Sequence, residues 1–133
     1  MKKVTWWFRI VGAFYALLAV LNLYGTFVDH SFFASSMPFT GEALQAFIDG
    51  WSPFAFEILG IGTFALWASR NPARYLGAVW LLVWLEFTHG VLDDIYLISR
   101  GYDTVGYLIF IVVHLIIIGS GVWAVRAAES ERA

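Results

Sequence analysis

The chain has 133 residues, of which 60% are hydrophobic, 19% aromatic and only 14% charged, with a mean hydropathy of +0.73. A water-soluble domain of this size needs more polar surface to cover its core, so this composition makes the bilayer the solvent. A net charge of −2 gives no sign of a polyanion such as nucleic acid as partner, and the lack of any cysteine excludes disulfides, thiolate metal sites and thiol redox chemistry.

In chain order, Lys2 and Lys3 precede an apolar run over 6–28. It is too long for the h-region of a secretion signal, about 7 to 15 residues, and no small-residue cleavage site follows, so it reads as a retained first span. Tyr15, Asn22, Thr26 and Asp29 share one helical face of it. The long connection 29–51 carries Thr40 to Gly50, where apolar residues recur at helical spacing before a glycine. This predicts a short amphipathic helix in the first outer loop, with Phe32, Phe33, Met37 and Phe39 dipping into the interface.

Ser52-Pro53 has the cap and first-turn residues of a helix start, predicting a second span over 52–69 with Glu57 inside it. Arg70 to Arg74 is a turn in which Asn71-Pro72 caps a third span over 73–98. A fourth follows over 104–126, with His114 as its one ionisable interior residue. Each predicted span has about 18 to 26 residues, enough for roughly 30 Å of hydrocarbon. Lys2, Lys3, Arg9, Arg70, Arg74, Arg126 and Arg132 fall on one side. Asp29, Glu42, Asp49, Asp94 and Asp103, with Arg100, fall on the other. The positive-inside rule then predicts an all-α, four-helix bundle in one membrane domain, multi-pass in a bacterial inner membrane, with both termini cytoplasmic.

The third span holds the densest chemistry, Glu86-Phe-Thr-His89-Gly90-Val-Leu-Asp93-Asp94. Ionisable groups in hydrocarbon cost roughly 2.5 to 3.5 kcal/mol each and normally face a bundle interior or cavity. On a regular α-helix Glu86, His89, Gly90 and Asp93 share one face, and Asp94 points to the side. With Glu57, His114 and Asn22 they fall in the outer half of the membrane, which predicts a polar pocket open to the outside. The acid–base reading makes Glu86, His89 and Asp93 the catalytic set. Glu57, His114, Asn22 and Tyr15 then bind a small apolar molecule.

Two alternatives stand beside it. Glu86-x-x-His89 is the i, i+3 pair of di-iron bundles, and Glu86, His89 and His114 offer N and O ligands suited to Zn, Fe or Cu. Alternatively the polar groups only pin helix register, in an accessory subunit of a larger membrane complex or in a homo-oligomer.

The opening Lys-Lys-x-x-x-Trp7-x-x-Arg9-x-x-Gly12-x-x-Tyr15, the late Asn22 and Glu57-x-x-Gly60 resemble the DoxX-like and BphX-like families of small bacterial four-helix membrane proteins. The resemblance implies a four-span topology over the whole chain; some members of these families look like partners of redox enzymes or sit near aromatic-degradation genes.

Overall fold

The computed structural model describes residues 1–34 and 39–131, and among them every regular element is a helix. Met37 and Arg132, counted above among the interfacial and inner-side residues, lie outside the described residues. Helix α1 spans Lys2–Phe27, α2 Ser31–Ala34 and α3 Gly41–Ala68. Helix α4 runs Leu76–Ser99 and α5 Thr104–Ser130. Three of these, α1, α4 and α5, are long and apolar enough to cross a membrane. Many of their large apolar side chains lie outside the protein core: Leu81 is 60% exposed, Trp84 63%, Ile109 61% and Ile116 63%. Such a surface in water would drive aggregation; in a bilayer it is solvated by acyl chains, so the chain is a membrane protein.

The chain folds as two compact units. One joins Met1–Phe8 to the chain from Ala68 onward. Its core is Val4, Trp7 and Phe8 from the start of α1, Val79, Leu82 and Val91 from α4, and Ile117, Ala124, Val125 and Ala128 from α5. The Trp7 indole N–H donates to the Ile117 carbonyl and to Ser120 Oγ, at 3.3 and 3.2 Å, which satisfies a buried donor across two helices. Gly121 makes room for that indole, since a Cβ there would lie 3.0 Å from it.

In the other unit, Arg9–Trp67, α1 and α3 cross at Gly12 and Gly62. A Cβ on Gly12 would come within 2.8 Å of the Leu66 backbone nitrogen, and one on Gly62 within 2.6 Å of that of Ala16. Small residues let the two backbones approach, the usual device of membrane helices. Gly60, Gly77 and Gly119 face open space and have no such role.

Two sequence expectations are corrected. The amphipathic helix of the outer loop is not separate: it is the first part of α3, which passes through Gly50 and Pro53 without a break. Proline removes the N–H that would bond the carbonyl four residues back, but the Ser52 hydroxyl donates to that carbonyl, Asp49 O, at 3.0 Å, and the helix continues. The third span starts at Leu76 instead of 73. Turn bonds from Arg74 N to Asn71 O and from Tyr75 N to Pro72 O extend the connection, and Tyr75 caps the helix with no side-chain bond. Helix α4 ends before Gly101, whose φ of +85° is the left-handed turn that closes many helices. The Asp103 side chain then accepts from Val105 N and caps α5.

Candidate functional site

Helix α4 is not uniform. Leu76–Leu85 is α-helical, Glu86–Leu92 is a seven-residue π-helical segment, and Asp93–Ser99 is α-helical again. Hydrogen bonds from i to i+5 widen the turn, so residues four and eight positions on share a face where an α-helix would align three and seven. Starting from Glu86, the aligned set becomes Gly90 and Asp94. All three are buried, and His89 and Asp93 are exposed. This corrects the expected face of Glu86, His89 and Asp93.

Opposite this face, α5 presents His114. Its ring lies directly on Gly90, where any Cβ would fall 2.5 Å from the imidazole, so a larger residue excludes the ring. Imidazole Nδ1 pairs with Glu86 Oε2 at 2.6 Å, and Nε2 faces Asp94 Oδ2 at 3.7 Å. The Glu86 side chain is 1% exposed, that of Asp94 9% and that of His114 17%. An ionised Glu86 fixes a hydrogen on Nδ1, because a carboxylate can only accept. The second gap is too long for a hydrogen bond, and Asp94 Oδ2 is buried with no partner among the described residues. Tyr107, two turns before His114 on α5, lies within electrostatic reach of Asp94 and Asp93.

The resulting row is carboxylate, imidazole, carboxylate, with the imidazole between the two acids. Such a row can hold a proton on either ring nitrogen, each of which faces a carboxylate.

The other expected site residues, Glu57, Asn22 and Tyr15, belong to the second compact unit, Arg9–Trp67. Asn22 is buried, and its amide donates to Leu18 O at 2.8 Å while its Oδ1 accepts from the Trp51 indole at 2.7 Å. Tyr15 is buried edge-on to Phe14, and Glu57 is exposed. Among the described residues no three His, Asp or Glu side chains converge in a way that could hold a metal ion. Within the expected ligand set of Glu86, His89 and His114, His89 points away and both nitrogens of His114 face carboxylates.

Sequence reasoning passed over Asp94 and Trp51. The signal for Asp94 is Glu86, Gly90, Asp94 at i, i+4, i+8, with glycine as the middle member. It gains meaning only once the helix type is known.

The BphX-like family model matches residues 1–130. The chain belongs to the BphX-like family. Two relatives, an uncharacterized BphX-like protein of Burkholderia cepacia and another of Paraburkholderia xenovorans strain LB400, are each 29% identical over a 139-residue alignment. That alignment covers 98% of this chain and 96% of theirs. No solved structure is a significant match.

Proposed function

We propose that this BphX-like protein is a four-span inner-membrane protein whose Glu86–His114–Asp94 row is an acid–base centre for a small apolar molecule. The single observation that carries the reading is His114, held at 2.6 Å by Glu86 and facing a second buried carboxylate, Asp94, inside apolar helices. Ionisable groups are expensive in hydrocarbon and mark substrate or proton sites there. A register pin needs one polar pair, and this row contains a further acid, one buried oxygen of which accepts no hydrogen bond among the described residues.

The contact between the chain ends supports four spans. The Met1 ammonium pairs with the Glu131 carboxylate at 2.5 Å, and the Lys3 ammonium lies 4.4 Å from the centre of the Trp123 ring. The start of α1 and the end of α5 therefore belong on one side of the membrane, which requires an even number of crossings. With α1, α4 and α5 as three of them, α3 supplies the fourth; its 28 residues reach about 42 Å. Lys2, Lys3, Arg70, Arg74 and Arg126 favour the cytoplasm for that side. Because the chain has no cysteine of its own, single cysteines report topology cleanly. At Thr40 and Tyr102 they are expected to label from outside, and at Asn71 only after permeabilisation.

The acid–base reading is tested with protein in lipid nanodiscs, screened by thermal shift against small apolar molecules that carry one polar group. Glu86→Gln and His114→Gln are expected to abolish the response of the wild type while keeping its helicity. An undiminished response in both variants overturns the reading.

A further inference from the structure

The row of Glu86, His114 and Asp94 is short of one positive charge and one hydrogen-bond donor, and both deficits fall at the same atom. Two ionised carboxylates and one imidazolium leave a net charge of −1 in a dry setting. The imidazole has two N–H groups at most. The Nδ1–H is spent on Glu86, and Nε2 is 3.7 Å from Asp94 Oδ2, beyond hydrogen-bond reach. Asp94 Oδ2 is left buried with no hydrogen-bond partner among the described residues.

Three species could fill this place, and they differ in what they repair. A proton on Oδ2 removes the charge, but the acceptor facing it, Nε2 of a neutral ring, lies 3.7 Å away, beyond hydrogen-bond reach. A neutral hydroxyl supplies the donor and leaves the charge. A protonated amine supplies the N–H and cancels the charge together. On this ground, and resting on the acid–base reading above, we infer that the site takes an apolar organic ammonium carrying at least one N–H, seated on Asp94.

The ligand's apolar body is required by the surroundings. The large side chains that α4 and α5 turn outward near this level are Phe87, Ile95, Phe110 and Leu115, all exposed to the acyl chains. A hydrophilic amine would have to leave water to reach Asp94, whereas an amphiphilic one enters from the bilayer with its head inward. The N–H requirement sets this site apart from an aromatic cage: a quaternary ammonium has the charge but no donor, and its methyl groups keep the charge away from Oδ2.

The experiment measures saturable binding to the full chain in nanodiscs, with empty nanodiscs subtracted for partitioning. The probes share one phenylalkyl body and differ only in the head: a dimethylamine, a trimethylammonium and a hydroxyl. The inference expects the dimethylamine to bind at least tenfold tighter than either of the others, and Asp94→Asn to lose at least tenfold for the dimethylamine alone. The comparison of probes on the wild type needs no variant, so it stands even where Asp94→Asn folds poorly. Saturable binding of all three heads with similar affinity, lost in Glu86→Gln, overturns the ammonium and leaves the acid–base reading standing. No saturable binding by any head overturns both.

Discussion

Each compact unit hides one polar cluster among apolar helices, and the two clusters are built to opposite rules. In the Arg9–Trp67 unit, Asn22 gives its amide to Leu18 O and accepts from Trp51, the Thr26 hydroxyl donates to Asn22 O, and His30 pairs with Thr26 O at 3.1 Å. The Asn22 and Trp51 groups are neutral, and each bond closes on a neighbour, so nothing at Asn22 asks for a visitor. In the unit built on α4 and α5, Glu86 and Asp94 flank His114, and one carboxylate oxygen is left over. Buried polar groups normally find partners, so a site declares itself by the bond it fails to make. The first cluster closes on itself; the second leaves one buried acid oxygen, Asp94 Oδ2, with no hydrogen bond among the described residues.

The largest test of that contrast is Glu86→Ala. It leaves the half-buried His114 beside Asp94 without its 2.6 Å partner, and removing one member of a largely buried pair costs up to about 3–5 kcal/mol. Thermal unfolding in detergent is expected to show a drop of that order. A drop close to zero would make the Glu86–His114 pair as dispensable as a surface contact.

A smaller loss is expected from Trp51→Phe, which keeps the ring packing against Phe47 and Phe54 and removes only the N–H donated to Asn22. One hydrogen bond between membrane helices is worth about 0.6–1.7 kcal/mol. Stability is therefore expected to fall by that amount while ligand response is untouched. Loss of ligand response instead would erase the distinction between the two clusters.

These clusters were legible in the sequence to different degrees. The apolar runs, the turn at Arg70–Arg74 and the choice of Glu86 and His114 as candidates follow from hydropathy and from the cost of charge in lipid. Two features do not. At Gly50–Pro53 every local signal says stop, and only the Ser52 hydroxyl bond to Asp49 O carries α3 through, a side-chain geometry that propensity does not encode. At Glu86–Leu92 the helix type changes with no sequence mark beyond Gly90. Assuming 3.6 residues per turn exchanges Asp94 for Asp93 and brings His89 inward. An error of one residue in register thus rewrites the proposed chemistry without disturbing the fold.

Outside the membrane the pH effect is smaller still. The Asp29 carboxylate accepts from the Ser31 hydroxyl at 2.6 Å and from Ser31 N at 3.0 Å, and these bonds hold its pKa below the ordinary 3.8. A carboxyl whose folded pKa is depressed contributes stability that is fully present above its unfolded value and is lost as the pH falls through the folded one. The cap of α2 should therefore be intact above pH 3.8 and loosen only below it. In Ser31→Ala the Asp29 titration, followed by carboxyl NMR, is expected to return upward toward 3.8.

The sharpest test of the register is a variant expected to change almost nothing. A π segment holds one residue more than an α-helix needs to span the same rise, so deleting one exposed residue from it should relax it to α geometry. Thr88 is suited to this: it is exposed, and its hydroxyl only bonds back to Trp84 O at 2.9 Å. After the deletion Gly90 becomes the third residue beyond Glu86 and Asp94 the seventh, which on an α-helix keeps both on the Glu86 face. His114 then still meets Gly90, Glu86 and Asp94, and its ring-nitrogen chemical shifts should match the wild type. Had α4 been α-helical throughout, with Glu86, His89 and Asp93 facing inward, the same deletion would turn His89 and Asp93 away and replace the chemistry around His114. A changed His114 spectrum in the deletion variant would return the site to that register, and an unchanged one ties it to the π turn.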